Sequence, residues 1–167
     1  MKTTLKLILA FLVLLFASCG GKEEEKKSFS YEKPAVAEKP VEAKTEKKDL
    51  ASERIDLVNK GIGPISSLSL DADIDQSMVT HGAEVYQKMC TACHRPDKKF
   101  IGPAPTKILE RRTPEWIMNM ILNPEEMVQK DPLAKDLLIE FNGSPMANQN
   151  LTQEEARAVL EYFRTLK

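Results

Sequence analysis

The sequence has few residues of the kinds that build disulfide frameworks, multi-histidine metal sites and aromatic cores. Its three cysteines are too few for a dense disulfide framework, and its two histidines exclude most metal sites that use several imidazoles. With 24 basic and 25 acidic residues, the chain has no overall electrostatic drive toward nucleic acid. One Trp, three Tyr and six Phe are few for an aromatic core, which leaves room for a large buried group.

The first residues have the pattern of an export signal. Two lysines precede an uninterrupted apolar run at residues 7–16, which is too short for a bilayer span of about 20 residues. Residues 16–20 are Phe-Ala-Ser-Cys-Gly, which resembles the lipobox of bacterial lipoproteins with Phe where Leu is usual. We therefore expect a signal peptide over residues 1–18 and a lipidated Cys19. The alternative is a plain secretory signal in which Cys19 is incidental.

The segment that follows, residues 19–52, lacks the composition of a folded domain. Between residues 22 and 49 there are eight Lys, eight acidic residues and almost no large apolar side chains. Such a segment cannot bury enough apolar surface to offset the entropy of ordering it. We predict a flexible, charged linker here and a folded domain over residues 53–167.

The folded domain has helical patterns and no alternating run long enough for a strand. Apolar residues at spacings near 3.6 predict a helix over residues 75–89. The pairs Thr-Pro at 113–114 and Asp-Pro at 131–132 each place a capping residue before a proline, and Pro124 should end the first of these helices. A capping box at Thr152 opens the last helix. We therefore predict an all-α domain.

Residues 90–94 are Cys-Thr-Ala-Cys-His, the attachment signature of a c-type haem. Two thiols at this spacing on a helical turn can both form thioethers with the vinyl groups of one porphyrin, and His94 is then placed under the iron. A zinc site would need a second ligand pair, and the chain has only one further cysteine and one further histidine. A thioredoxin-like pair is expected at the start of a helix, whereas here a helix leads into the motif. We predict one covalent haem c attached to Cys90 and Cys93.

The run from residue 90 to residue 104 resembles the haem-binding stretch of small bacterial monohaem class I cytochromes c. In that family a Gly-Pro pair follows the histidine at the same interval. The resemblance implies a class I cytochrome c fold, with three to five helices around one covalently bound haem. It also implies that the carbonyl of Pro103 accepts a hydrogen bond from His94 and so fixes the imidazole tautomer.

The predicted first helix resembles the first helix of the same family. Gly82 matches a glycine that permits a close crossing with the C-terminal helix, and Tyr86 matches an aromatic residue beside it. The resemblance implies that Tyr162 or Phe163 is the aromatic partner in this crossing.

Met146 is the predicted sixth ligand of the iron. It lies in the uncharged, proline-containing stretch 143–148, which has no helical pattern, so a flexible thioether has little structural reason to be there. Its interval to the last helix resembles the axial-methionine loop of the family, although Ala147 stands where a proline is common. Met127, His81 and an open site are the alternatives.

Four side chains are available as donors to the haem propionates: Trp116, Arg111, Arg112 and Lys99. The resemblance implies that an aromatic N–H and a basic residue donate to the propionates, which favours Trp116 and Arg111. Trp116 is equally explained as a core residue. Residues 61–64 and 127–141 have no assignment: each either covers a haem edge, forms a partner surface or is a surface loop.

Ligation by both His94 and Met146 would fill the axial positions of the iron and raise its reduction potential, which favours electron transfer over catalysis. We expect a monomeric, lipid-anchored carrier without enzymatic activity, which passes electrons between respiratory complexes and a terminal reductase or oxidase. It would lie in the cell envelope, facing the periplasm or the outer surface.

One alternative is a haem domain with an open or displaceable sixth site, acting as a gas sensor or peroxidase-like enzyme. Another is an electron-entry subunit of a fixed complex.

Overall fold

A computed structural model describes residues 50–167, so the predicted signal peptide, Cys19 and most of the linker lie outside the described residues. This part of the chain forms five α-helices and one short 3-10 helix. They are α1 (Gln76–Met89), the 3-10 helix (Ile108–Glu110), α2 (Pro114–Leu122), α3 (Pro124–Lys130), α4 (Pro132–Glu140) and α5 (Gln153–Phe163). The only β-type pairing within residues 50–167 is an isolated bridge between Asp56 and Arg112, which confirms the all-α prediction. None of the described helices is both long enough and apolar enough to cross a membrane.

The helices begin at the predicted start signals. The side chains of Thr113 and Asp131 accept hydrogen bonds from backbone N–H groups three residues later, and the prolines that follow need no N–H partner. Thr152 and Glu155 form the predicted capping box of α5. Helix α2 ends just before Pro124, as predicted, but Pro124 also begins α3. The stretch 127–141 is therefore mostly helical and is not a surface loop.

Helices α1 and α5 cross at Gly82. A Cβ atom here would collide with the carbonyl group of Ala158, so a glycine is needed for the two backbones to approach this closely. Beside the crossing, the ring of Tyr86 packs on the rings of Tyr162 and Phe163, at centroid distances of 5.4 and 5.7 Å. The glycine crossing implied by the family resemblance is present, and both candidate aromatic partners take part.

Residues 50–70, here called the N-terminal strap, contact α4 and then α2. Ser52 donates to the Glu140 carboxylate through its backbone N–H at 2.8 Å and its hydroxyl at 2.6 Å. Ala51 is buried, so contacts with the helices begin two residues before the predicted boundary at residue 53. Composition could not reveal this, because the bonded residues are 88 positions apart in the chain.

The side chain of Asn119 on α2 holds the strap segment 61–64 in place. Its amide oxygen accepts from the N–H of Ile65, and its NH2 group donates to two strap carbonyls, all at 2.9 Å. Gly61 has a φ of 73°, and a Cβ atom there would lie 2.8 Å from the Met127 sulfur. The segment is therefore a packed turn, in which Gly61 is required by both its backbone angle and its surroundings.

A buried carboxylate ties α5 to the segment before α1. Glu161 is 1% exposed, accepts from the N–H of Asp75 at 3.0 Å and pairs with Arg157 and Arg164 at 2.5 and 2.6 Å. Burial acts to raise the pKa of this carboxyl, but the hydrogen bonds and the two guanidinium groups outweigh it and lower the pKa below its ordinary value of 4.5.

We expect Glu161→Gln to remove a pH-dependent part of the stability. A carboxyl whose pKa is lowered by folding stabilises the fold above its unfolded pKa, and this contribution disappears as the pH falls through the folded pKa. The variant should lose roughly 2–4 kcal/mol at neutral pH, and its difference from the wild type should shrink below the ordinary pKa of 4.5. Urea unfolding over a pH series measures this, with the exposed Glu154→Gln as the control. A deficit that stays constant through the acid range would contradict the assignment.

Candidate functional site

A large apolar cavity that opens to solvent lies among α1, α2, α4 and α5. Much of its wall consists of Ile117, Ile121, Leu137, Phe141, Val159 and Phe163. Cys90, Cys93, His94 and Met146 line the same cavity. The structure therefore brings the four predicted attachment and ligand residues to one apolar space, which suits a large organic group with few polar contacts.

The two cysteines are positioned by the end of α1. Cys90 is the C-cap residue, and its N–H donates to the carbonyl of Tyr86 at 2.9 Å. The N–H groups of Cys93 and His94 both donate to the carbonyl of Cys90, at 3.1 and 2.9 Å, so the chain makes one tight turn here. Neither Cys90 nor Cys93 is in a disulfide. Burial raises the pKa of Cys90 to about 11, and the neighbouring Cys93 adds to the shift, so this thiol is neutral at physiological pH.

The imidazole of His94 is fixed by Pro103. Its Nδ1 lies 2.8 Å from the carbonyl oxygen of Pro103, which is the hydrogen bond that the family resemblance implies. Because a carbonyl only accepts, Nδ1 carries the proton and Nε2 keeps a lone pair for a metal. Gly102 packs against the ring: a Cβ atom there would lie 2.5 Å from the imidazole Cε1. Gly102, for which the sequence predicts no role, is needed here to let the backbone approach the histidine.

Met146 lies in the loop between α4 and α5 and is partly buried against the core. Backbone residues at positive φ bracket the loop: Asn142 and Gly143 precede Met146, and Asn150 follows it. Neither alternative ligand lines the cavity. Met127 is fully buried elsewhere, where its sulfur accepts from a strap N–H at 3.0 Å, and His81 is exposed on α1.

Trp116 lines the cavity, but its indole N–H already has a partner. The Nε1–H donates to the carboxylate of Asp131 at 3.2 Å, and the side chain is 3% exposed. Asp131 also caps α4 and accepts from Asn59 at 2.6 Å. The ring therefore forms part of the cavity wall, and its N–H joins α2 to Asp131 at the start of α4. The role of Trp116 as a propionate donor stays a prediction.

Arg111 and Arg112 both line the cavity but differ in burial. Arg111 is partly exposed and donates to carbonyls of the turn 104–107 at 3.2 to 3.5 Å. Arg112 is 3% exposed and donates to the strap carbonyls of Ala51 and Arg54. Burial, with the neighbouring Arg111, lowers the pKa of Arg112 to about 10, so it stays cationic at neutral pH. Arg112 thus brings a buried positive charge to the cavity wall, and no carboxylate among residues 50–167 bonds to it.

These residues fit a c-type haem. Two thiols in one turn, an imidazole with its Nε2 available and a thioether sulfur all border one apolar cavity. Within residues 50–167 no group of three or more His, Cys, Asp and Glu side chains is arranged to hold a metal ion, so the zinc alternative has no ligand set there.

Comparisons with known proteins agree with this fit. The sequence matches the family model described as Cytochrome c over residues 79–167. Among solved structures, cytochrome c from Rhodothermus marinus is 42% identical with a TM-score of 0.61, over 70% of this chain and 93% of that one. An engineered form, Rma TDE, is 41% identical with a TM-score of 0.61 over 70% and 94%. The same engineered protein, bound to a carbene intermediate, is 41% identical with a TM-score of 0.58 over 70% and 94%. No curated protein matches.

Proposed function

The chain belongs to the cytochrome c family and binds haem c covalently, and we propose that it is a membrane-tethered one-electron carrier whose iron is ligated by His94 and Met146. Family membership supports a haem-based electron carrier that works with redox partner proteins. The observation that carries the finer proposal is that His94 and Met146 line one cavity, whereas Met127 and His81 do not.

The chain's own residues have distinct roles in this proposal. Cys90 and Cys93 hold the haem through thioethers, and Pro103 keeps the proton on Nδ1 of His94 so that Nε2 can bind the iron. When bound, the haem supplies an iron that is reversibly reduced and oxidised by one electron. The soft thioether of Met146 would favour the reduced iron and, as its second protein ligand, would leave no position for a substrate. Arg112, and the predicted donor Arg111, supply positive charge beside the cavity for the haem propionates.

Met146→Ala tests the ligand. We expect the variant to lose the weak long-wavelength sulfur-to-iron band of the oxidised protein, and to bind carbon monoxide when reduced. Its reduction potential should fall by on the order of 0.1 V, within the roughly 0.8 V range that axial ligands span. Visible absorption spectra and a redox titration measure these changes.

Two variants serve as controls for this experiment. Met127→Ala removes a buried methionine and should cost roughly 2–5 kcal/mol of stability, yet leave the band in place. His81→Ala changes an exposed side chain and should leave both stability and band unchanged. A band that survives in Met146→Ala, or a site that opens only in His81→Ala, would show that the assignment of Met146 is wrong.

The tether is proposed from the sequence alone. The lipobox-like residues 16–20 and the charged linker would attach the domain to a membrane and keep it at high effective concentration near membrane partners of a respiratory chain. Cys19→Ser should block lipid attachment and processing of the signal, so the variant should carry no lipid and keep the mass of the unprocessed chain. Mass spectrometry and membrane fractionation at high salt measure this. Unchanged processing and membrane association in the variant would refute the lipid anchor.

A second candidate function is a haem domain with a displaceable sixth ligand. The loop that carries Met146 favours it, since the hydrogen bonds of residues 144–150 reach no farther than Phe141. The engineered relative described with a carbene intermediate also supports it. The carbon monoxide reaction of the wild type, described in the Discussion, separates the two candidates.

A further inference from the structure

Lys99 is a cation that the carrier mechanism leaves without a role. The sequence offers it as a donor to the haem propionates, but in the structure it does not line the cavity. Its ammonium group lies over the ring of Phe141, 4.4 Å from the ring centroid. No carboxylate within residues 50–167 pairs with it. An ammonium group at this distance is attracted by the negative face of an aromatic ring, so the contact with Phe141 is the polar interaction that the structure gives Lys99.

The short segment that contains Lys99 is fixed to the turn of residues 90–94. The N–H of Gly102 donates to the carbonyl of Cys93 at 2.9 Å, and the N–H of Phe100 donates to the carbonyl of Gly102 at 3.1 Å. The guanidinium of Arg95 lies 4.3 Å from the centroid of the Phe100 ring. Lys99 therefore belongs to a part of the chain that is tied to the cysteine and histidine motif.

Phe141 lies at the other end of this contact, where the loop between α4 and α5 begins. Its side chain is 5% exposed and lines the cavity, and its carbonyl accepts from the N–H of Ser144 at 3.1 Å. Within the part of the chain that the structure describes, the hydrogen bonds formed by residues 142–150 all stay between residues 138 and 150. Side-chain packing, and not hydrogen bonding, therefore holds this loop and its Met146 to the rest of the domain.

We propose that Lys99 is a positioning residue that holds the start of this loop through Phe141 and so opposes displacement of Met146 from the iron. The contact joins the segment that follows His94 to the loop that carries the other proposed ligand. A neutral side chain at position 99 would weaken the attraction to the ring, and the open form of the loop would become more populated. The inference rests on ligation by Met146 in the proposed function.

Binding of imidazole to the oxidised, haem-loaded protein tests this proposal, because imidazole competes with Met146 for the iron. We expect Lys99→Gln to bind imidazole about two- to five-fold more tightly than the wild type, which is the range for the loss of one exposed contact between a cation and an aromatic ring. An optical titration measures the affinity, at a pH where imidazole is neutral, so that a lost protein charge does not change its attraction to the site.

Two further variants serve as controls for the titration. Lys99→Arg keeps a cation over the ring and should retain the wild-type affinity. Lys98→Gln removes the same charge from the neighbouring exposed residue, which packs on no aromatic ring among the described residues. It should also retain the wild-type affinity.

Amide hydrogen exchange follows the same loop without an added ligand. The N–H groups of Gly143 and Ser144 donate to the carbonyls of Leu138 and Phe141, at 2.8 and 3.1 Å. Both amides should exchange about two- to five-fold faster in Lys99→Gln than in the wild type, because the start of the loop opens more often. Their exchange in Lys98→Gln should match the wild type.

Either of two results would overturn the proposal. An unchanged imidazole affinity in Lys99→Gln would mean that the contact does not restrain the loop. An equal change in Lys98→Gln would assign the effect to the lost charge.

The sulfur-to-iron band of the oxidised wild type is recorded first, and it separates this inference from the proposed function. Absence of the band would show that Met146 is not a ligand. Exchange at Gly143 and Ser144 would then still decide whether Lys99 holds the loop, since it does not depend on the sixth ligand.

Discussion

The double variant Cys90→Ala, Cys93→Ala is expected to lose all of its haem to acidified acetone, whereas the wild type keeps its haem after denaturation. The two thioether bonds are covalent and survive unfolding, whereas the bonds between the iron and its axial ligands break when the protein unfolds. The loss of haem should be complete, because residues 50–167 contain no other thiol that could attach it. Haem absorbance in the extracted protein, matured in a competent periplasm, measures the result.

Cys19→Ser is the matched control for this experiment. It removes the third cysteine of the chain, which lies outside the haem motif, and should leave haem retention unchanged. Full extraction of haem from the wild type would show that the attachment is not covalent.

Gly82→Ala is expected to give a large loss of stability. Its Cβ would meet the backbone carbonyl of Ala158, and since neither backbone can turn aside, α1 and α5 would have to separate. We expect a loss of roughly 3 kcal/mol or more, and a drop in melting temperature of more than about 10 °C. Thermal unfolding followed by circular dichroism measures it.

Gly143→Ala separates crowding from backbone strain. Gly143 has a φ of 73°, but a Cβ atom there would meet nothing within 4 Å. This variant should cost only about 1 kcal/mol, from strain alone. An equal loss of stability in Gly82→Ala and Gly143→Ala would refute the close crossing at Gly82.

The helices and the haem motif could be predicted because their signals are local. Thr113, Asp131 and Thr152 each act within one turn of chain, so their caps are visible as short patterns. The contact between His94 and Pro103 spans nine residues, and the family resemblance supplied it. Pro124 shows the limit of such signals, since a proline ends one helix and also begins another.

The walls of the site could not be predicted because they depend on long-range contacts. Asn119 binds strap groups 54 and 59 residues earlier in the chain, and the guanidinium of Arg112 reaches carbonyls 58 and 61 residues earlier. Asp131 accepts a hydrogen bond from the Trp116 indole, but the sequence pattern around Asp131 predicts only a helix cap. Composition shows that such polar residues exist, but only the fold shows which of them are buried together.

The reaction of the reduced wild-type protein with carbon monoxide tests the central claim most directly. If His94 and Met146 both ligate the iron, no position is open, and the visible spectrum should not change on rapid mixing. The oxidised protein should show the sulfur-to-iron band in the same preparation. Rapid formation of a carbon monoxide complex by the untouched protein would contradict the account and would support a sensor or enzyme with an accessible sixth site.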